Sequence, residues 1–504
     1  MFLHNYKIQV DYSRGKNKMP ARRFSVIVAA AVLASPVFAG VASQLRCEAG
    51  RSCPCSAASA IAPSPVRESD CESALSPTQA QSQSPAPASP PMMDMQGPME
   101  MNMSAPKSFI DQILHHVTAG TTAAPNSTPH DMLMTQKGAW MLMFHGSAFV
   151  NAQQQTGPRG ADKVFSTSWL MPMAQRQLGP GTFTARAMFS LEPATITGRQ
   201  YPELFQIGET SFGKPIVDGQ HPHNFFMELA ALYDLKLSEH ALLSFYAAPV
   251  GDPAIGPEAF PHRVSASEDP LAPLGHHLQD STHIAYNVLT AGLTYRIARV
   301  EVSGFHGREP GENRWTIETG ALDSWSTRLT LNPAQNWSGQ YSITRLHSPE
   351  QLFPAEDQLR MTSSITYNRP LHTNDWGNWA TMLLWGRNST IPGGETFNSY
   401  LTESTLRFAR HNYAWTRLEN VDRTNLLLLS ENPLPPGFEE HFLARVQAYT
   451  FGYDHEFNFI PRIASAFGGQ YTLYAAPVSL DHIYGAHPMG VLIFIRLRAI
   501  PLHK

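Results

Sequence analysis

Residues 323–347 decide the fold of this chain, and they read DSWSTRLTLNPAQNWSGQYSITRLH. In the first half, Trp325, Leu329 and Leu331 fall on one face of an extended chain, and Arg328 falls on the other. A period of two with one apolar face predicts a β-strand, and a Pro- and Asn-containing turn between two such runs predicts a hairpin. The segment is therefore expected to form two antiparallel strands.

The same rhythm continues from residue 139 to the C-terminus, with short turns and long polar loops in alternation. Alternating loop lengths are typical of up-and-down barrels in bacterial outer membranes, which have tight periplasmic turns and long outer loops. We predict an all-β, up-and-down transmembrane β-barrel of about 16 antiparallel strands, within a range of roughly 14 to 18. The predicted strands are 139–151, 163–177, 181–193, 222–236, 240–250, 283–297, 299–308, 323–332, 337–347, 359–368, 377–388, 398–410, 412–421, 441–453, 462–475 and 489–498.

Composition narrows the class of protein further. Charged residues make up only 15% of the 504 residues and the formal net charge is −4, so no nucleic-acid partner is predicted. No apolar run reaches the ~20 residues of a membrane-spanning helix. A soluble β-sandwich is the competing fold, but it would not need loops that alternate so regularly in length.

The chain before the barrel divides into three parts. Basic residues ahead of the apolar run 24–39 predict a secretory signal peptide over residues 1–39. Residues 40–107 are rich in Pro, Ser, Ala and Met, which predicts a disordered arm in the periplasm. Residues 108–138 are predicted to hold a short helix with Ser108 as its N-cap, acting as a plug of the periplasmic mouth or as a linker. The barrel then takes residues 139–504.

The arm carries two sets of sulfur ligands. Its four cysteines form two disulfides, bind a metal or pair loosely, and the sequence leaves these alternatives open. The methionines are soft ligands of the kind that selects Cu(I), and Ag(I) is expected to bind in the same way. The cysteines are Cys47, Cys53, Cys55 and Cys71, and the candidate methionine ligands are Met92, Met93, Met95, Met99, Met101 and Met103.

Histidines concentrate where the predicted strands meet the outer loops. Clustered imidazoles with carboxylates nearby, such as Asp218, Glu228, Asp280 and Glu309, predict a site for Zn(II) or Cu(II). No spacing among them is diagnostic, and loop histidines also serve as simple hydrogen-bonding groups. The candidate metal ligands are His221, His223, His276, His277 and His283.

The polar faces of the strands are predicted to line an aqueous lumen, as expected for a barrel of this strand number. On the strand at 441–453, Ala444, Val446 and Ala448 are assigned to the lipid and Arg445 to the lumen. Side chains of both charge signs predict weak ion selectivity. The predicted pore-lining residues are Arg186, Glu228, Arg328, Arg360 and Arg445.

Three blocks resemble the signatures of an uncharacterised family of Gram-negative outer-membrane β-barrel proteins. They are GQHPHNFFMEL at 219–229, PLGHHLQDSTHI at 273–284 and FHGREPGENRW at 305–315. The resemblance covers the barrel and implies placement in the outer membrane, but no activity. The methionine-rich extension before the barrel is also similar in layout to CopB/PcoB-type copper-resistance proteins, whose barrel motifs are not matched.

These patterns favour a channel-forming barrel in the cell outer membrane, with its arm in the periplasm and a role in copper or silver handling, efflux or resistance. The expected partners are outer-membrane lipids, the barrel-assembly machinery and periplasmic copper proteins. Two alternatives stay open. One is a non-conducting surface receptor or adhesin with metal-binding loops. The other is an outer-membrane lipid hydrolase using a pair such as Ser281 and His283, although no G-x-S-x-G motif is present and an enzyme is not the favoured reading.

Overall fold

A computed structural model describes residues 106–129, 131–280, 285–371, 377–429 and 434–501. The signal peptide, the four cysteines, the methionine arm and the Ser281–His283 pair all lie outside the described residues. Within the described residues, no helix is long and apolar enough to cross a membrane.

Sixteen antiparallel strands form a closed barrel, as the sequence predicted. Neighbours along the chain pair with one another, except that β4 pairs with β7 because β5 and β6 form a separate hairpin. The last strand pairs with β2, with Ile495 opposite Val150, and so closes the wall. The strands are β1 Leu133–Lys137, β2 Trp140–Gln155, β3 Lys163–Leu178, β4 Gly181–Phe189, β5 Tyr201–Ser211, β6 Lys214–Gln220, β7 Phe226–Ser238, β8 Ala241–Gly251, β9 Ala285–Tyr295, β10 Ala298–His306, β11 Ser324–Ala334, β12 Trp337–Leu346, β13 Asp357–Pro370, β14 Asn378–Ile391, β15 Thr396–Phe408, β16 Asn412–Thr424, β17 Phe442–Ile460, β18 Ile463–Ala475 and β19 Met489–Ala499.

The helices are short and lie outside the wall strands. They are α1 Phe109–His115, α2 Glu192–Thr195, α3 His276–Gln279 and α4 Asp481–Tyr484. The sequence correctly placed the cap of α1, because the Ser108 side chain accepts a hydrogen bond from the Asp111 backbone N–H at 3.1 Å. It did not predict β1, which pairs with the start of β2, nor the β5–β6 hairpin, which falls inside a stretch predicted to be an irregular loop.

The outer face of the wall is apolar and the inner face is polar. On β11, Leu329 is 42% exposed while its neighbour Arg328 is 1% exposed. Trp337, Tyr367 and Trp379 form a row of contacting rings where three adjacent strands meet the short turns, with centroids 4.6 and 5.4 Å apart. Aromatic rows at strand ends are typical of the membrane–water interface of transmembrane barrels.

On β17 the predicted orientation is wrong at the long-loop end. Ala444 and Val446 are buried on the inside, whereas Arg445 is 42% exposed and pairs with Asp422 at 2.6 Å. The small apolar side chains face inward because the β5–β6 hairpin presents apolar residues such as Leu204 to them. An apolar face therefore does not identify the lipid side where an apolar insert fills the lumen, and Arg445 does not line the lumen.

Three segments occupy the barrel interior. The first is the chain from 106 to 128, which enters at the short-turn end, where Phe109 and Ile113 of α1 pack on Leu242. The second is the β5–β6 hairpin. The third is the plug, which we define as residues 252–280 between β8 and β9 and which is almost wholly buried. The sequence placed the plug outside the barrel as an outer loop, and this placement is wrong because wall charges hold it inside.

Buried ion pairs attach the plug to the wall. Wall arginines meet carboxylates of the plug, and a wall glutamate meets an arginine of the plug. Removing one partner of a buried pair typically costs about 3–5 kcal/mol because the other charge is left uncompensated. The plug is therefore held at several points around the wall by the pairs Arg263–Glu403 (2.8 Å), Arg417–Asp269 (3.0 Å) and Arg496–Glu268 (3.1 Å).

The four other predicted pore-lining residues do point inward, but they hold inserted segments or one another. Arg186 and Glu228 pair at 2.7 Å with neither side chain exposed. Arg186 also donates to the backbone oxygen of Thr118 in the N-terminal segment at 2.8 Å. Arg328 pairs with Glu301 at 2.8 Å, and Arg360 donates to the side chain of Asn388 at 2.9 Å.

Candidate metal centre

Three inserted or outer segments meet near the long-loop end of the barrel. The β5–β6 hairpin and the residue after it supply Glu209 and His221, the plug supplies His276 and His277 on α3, and the loop after β10 supplies Glu309. The candidate ligand atoms of His221, His276 and His277 all lie within 4.8 Å of one another, and so do those of Glu209, His277 and Glu309. We call these five residues the histidine–glutamate centre.

The structure thus brings together three of the five histidines selected from the sequence. His223, only two residues from His221, turns away and its Nδ1 lies 2.9 Å from Glu192 Oε2. His283 lies outside the described residues. Of the acidic residues noted nearby, only Glu309 joins the centre, because Asp218, Glu228 and Asp280 pair with Arg159, Arg186 and Arg263.

Sequence reasoning missed Glu209 altogether. It lies in β5, and the signal that could have found it is the tight turn at Phe212 and Gly213, which folds β5 back on β6 and so brings Glu209 towards His221. Its backbone has a positive φ of 53°, a left-handed conformation that is strained for a residue with a side chain. Such strain is kept where the surrounding structure fixes a side chain in a particular place.

The surroundings of His221 favour a cation at its Nε2 atom. His221 Nδ1 lies 2.9 Å from the backbone oxygen of Pro222, which can only accept a hydrogen bond, so Nδ1 carries the proton. The Nε2 atom lies 2.7 Å from a carboxylate oxygen of Glu209, which is also an acceptor. A neutral imidazole would turn its lone pair towards that carboxylate, and a metal ion between the two atoms would remove the repulsion. Histidine metal ligands commonly donate their other N–H to a carbonyl in this way.

The charge states suit metal binding. Burial lowers the pKa of His221 despite Glu209, which leaves the imidazole neutral. Burial would raise the pKa of Glu209, but Arg314 and then His221 outweigh it and hold the pKa well below its usual range. Burial would also lower the pKa of His277, but the hydrogen bond and charge of Glu309 outweigh it and raise the pKa above its ordinary value. The centre therefore offers the ionised carboxylate of Glu209 and the neutral imidazole of His221 as ligands.

The ligand set selects a borderline divalent ion. Imidazole nitrogens with one or two carboxylate oxygens suit Zn(II) and Cu(II). Ligand atoms of a tetrahedral Zn(II) site stand roughly 3.4 Å apart, so small side-chain rotations would bring the present atoms to an ion. Such an ion would join the hairpin, the plug and the loop after β10.

An acidic cavity of about 70 Å³ opens beside the centre. His277 and Glu309 form part of its lining, and the other acidic side chains along it are Glu350, Glu356, Asp422 and Glu440. Burial, with Glu309 nearby, raises the pKa of Glu350 to about 7, as expected where carboxyl groups crowd together. Burial also raises the pKa of Glu440 to about 8, and Arg423 adds a positive charge to the lining. The cavity is therefore only partly charged at neutral pH and gains negative charge as the pH rises.

The three blocks on which the sequence resemblance rests meet at this centre. The first contains His221, the second His276 and His277, and the third Glu309. Residues separated by more than 80 positions are joined only because the hairpin and the plug fold into the lumen. The candidate methionine ligands between residues 92 and 103 lie outside the described residues, so copper or silver binding by the N-terminal arm stays a prediction.

Comparison with known proteins yields only distant structural neighbours. No protein-family model matches the chain, and no curated protein matches it in sequence. OprB of Pseudomonas putida is 7% identical with a TM-score of 0.42, over 71% of this chain and 94% of that one. The anion-selective porin of Comamonas acidovorans is 10% identical with a TM-score of 0.41, over 71% and 99%. The outer-membrane channel DcaP of Acinetobacter baumannii is 10% identical with a TM-score of 0.40, over 72% and 98%.

Proposed function

We propose that the protein is an outer-membrane channel that its own segments close, and that a divalent metal ion at the histidine–glutamate centre holds those segments together. The apolar outer face and the aromatic row at the short-turn end support placement in a lipid bilayer, with the N-terminal arm in the periplasm. Lipids and the barrel-assembly machinery are then its partners.

The metal proposal rests on the fact that the candidate ligands come from separate segments of the chain. Glu209 and His221, His276 and His277, and Glu309 come from three separate segments that cover the lumen at its long-loop end. One ion coordinated by all three would oppose their separation. Its removal would leave only side-chain and backbone contacts there, so the plug would leave its closed position more often.

Conductance in planar lipid bilayers tests this proposal. Full-length mature protein stripped with a chelator should open more often than the same protein with added Zn(II), and the double variant H276A/H277A should not respond to Zn(II). H223A is the matched control, because His223 is also buried but pairs with Glu192 outside the centre. Identical opening with and without Zn(II) in the native protein would rule out metal closure.

The alternative function predicts a different outcome. A receptor or adhesin that uses the same loops would bind Zn(II) but show no conductance in any state, including after removal of residues 262–283. The native plug fills the lumen, so this deletion is the strongest way to reveal a channel. Zn(II) binding by the native protein, together with no conductance by the deleted barrel, would favour the receptor.

Copper or silver handling is the finer part of the proposal and depends on the arm. Met92, Met93 and Met95 begin a run of thioethers that can converge on one soft ion without a fold. A peptide covering residues 90–105 should bind Ag(I) and Cu(I) strongly and Zn(II) weakly. Equal Ag(I) binding by a peptide with serine at every methionine would remove the copper hypothesis for the arm.

A further inference from the structure

A second group of potential metal ligands, which shares no residue with the histidine–glutamate centre, lies on the inner surface of the wall. Methionine side chains are unusually frequent there: Met143, Met171, Met173, Met188 and Met227 belong to one buried cluster, and none is more than 4% exposed. Four of them are in strands β2, β3 and β4, which are adjacent in the wall. Methionine is a common filler of irregular apolar cores, so the number of thioethers alone does not make a site.

The wall register places ligands opposite one another. His145 on β2 is the direct partner of Met171 on β3. The pairings of Leu170 with Phe189 and of Met173 with Arg186 set Met171 opposite Met188 on β4. Directly opposed residues in an antiparallel pair have Cβ atoms about 5 Å apart on the same face. An imidazole and two thioethers therefore stand side by side on the inner surface.

The plug adds a second imidazole to this row. His262, in the short 3₁₀ turn Phe260–His262, places its Nε2 atom 2.7 Å from the sulfur of Met188. The rings of His262 and His145 are 6.0 Å apart, and the Trp169 ring lies 3.9 Å from that of His262. The Nδ1 atom of His262 is buried with no hydrogen-bond partner among the described residues.

This arrangement is unfavourable for packing alone. A thioether sulfur is a weak acceptor, so it compensates poorly for the water that an imidazole N–H loses on burial. A neutral imidazole also keeps a lone pair on one of its two ring nitrogens. A soft cation held by the Nε2 atom of His262 and the sulfur of Met188 would use a lone pair of each atom.

We propose that His145, Met171, Met188 and His262 form a binding site for a soft monovalent metal ion, Cu(I) or Ag(I). Thioethers select such ions over Zn(II), and imidazole is an acceptable additional ligand. Three ligands belong to the wall and His262 belongs to the plug, so the ion fastens the plug to the wall. The site is independent of the histidine–glutamate centre and of the arm.

Metal stoichiometry of the full-length mature protein tests the site. The arm is retained, and the histidine–glutamate centre is first saturated with Zn(II). Cu(I) under reductant, or Ag(I), is then added, and the bound metal is counted after equilibrium dialysis. The double variant M171L/M188L should bind one soft ion fewer per chain than the native protein. Leucine conserves the volume of methionine, so the fold should be little affected.

Two controls separate this site from the arm and from general packing. M382L changes a buried methionine of another cluster and should leave the stoichiometry unchanged. X-ray absorption on the bound ion should show nitrogen as well as sulfur neighbours, whereas residues 92–103 contain no histidine. H262L should remove nitrogen from that spectrum.

Heat-modifiable gel migration identifies the folded variants. A folded M171L/M188L protein that binds as many ions as the native protein would overturn the proposal, as would a sulfur-only spectrum in the native protein. If the double variant does not fold, H262L decides, because it leaves the wall strands intact. Unchanged nitrogen scattering and stoichiometry in H262L would then reject the site.

Discussion

The histidine–glutamate centre and the proposed site of His145, Met171, Met188 and His262, here called the methionine cluster, are both buried, and both take residues from the plug, yet their ligands differ in kind. The centre combines three imidazoles with Glu209 and Glu309 and lies beside an acidic cavity at the long-loop end. The methionine cluster combines neutral thioethers and imidazoles and lies among apolar side chains. One interior therefore offers ligands for a borderline divalent ion and ligands for a soft monovalent ion.

The difference follows from the cost of burying charge. A carboxylate removed from water needs a cation or several hydrogen bonds, and Glu209 meets this need through Arg314. A thioether carries no charge and little hydration, so it can be buried deep in the wall at low cost.

The strongest test of this contrast is the removal of two imidazoles from the centre. H276A/H277A should weaken Zn(II) or Co(II) binding by a factor of about 100 or more, since two nitrogen ligands are lost from one site. Ag(I) binding by the methionine cluster should not change. Isothermal titration of both metals on the same preparation makes the comparison, with H223A as the control that keeps both affinities.

A loss of Ag(I) binding in H276A/H277A would break the contrast. The two groups of ligands would then be one coupled system, joined through the plug that carries His262 as well as His276 and His277. A normal Zn(II) affinity in the double variant would show instead that the centre is a hydrogen-bonding cluster of the plug.

A change of pH should affect the metal affinities of the two sites differently, with a smaller effect than the loss of two ligands. The pKa of His277 is raised, so its proton competes with a metal ion from above the ordinary histidine value downwards. Zn(II) affinity of the centre should therefore fall as the pH falls through this range, by about tenfold per pH unit for each proton displaced. Thioethers have no proton to lose, and His262 has a pKa well below its usual range, so Ag(I) affinity should change little between pH 7 and 6.

Measured Kd values at pH 7.5, 6.5 and 5.5 on the native protein supply the test. Parallel losses of Zn(II) and Ag(I) affinity would contradict the assignment of different ligands to the two sites. A Zn(II) affinity independent of pH would show that the imidazoles are not its ligands.

Much of the barrel could be predicted because its determinants are local. Alternation on β11 and β12 gave both strands and the turn between them, and the correct faces of Leu329 and Arg328, from adjacent residues alone. The count of sixteen followed because the same short-range pattern repeats in every wall strand. The cap of α1 was predictable for the same reason, since Ser108 and Asp111 are three residues apart.

Predictions failed where a distant segment sets the environment. Arg445 was assigned to the lumen because its neighbours Ala444 and Val446 are apolar, but those neighbours pack on residues of the β5–β6 hairpin. The alternation of polar and apolar residues shows that the two faces of a strand differ in polarity. It does not show whether lipid or an inserted segment covers each face. Only the inserted hairpin shows that the apolar face is the inner one.

The sequence by itself determined the wall strands, their approximate number, the barrel fold and the histidine-rich segments from which metal ligands could come. The tertiary structure alone decided which of those ligands meet. Long loops carry no periodic signal, and the energy that draws the plug into the lumen comes from pairs such as Arg417–Asp269, whose partners are 148 positions apart. His221, His276 and His277 converge, and His223 does not, because this inward folding fixes which side chains become neighbours.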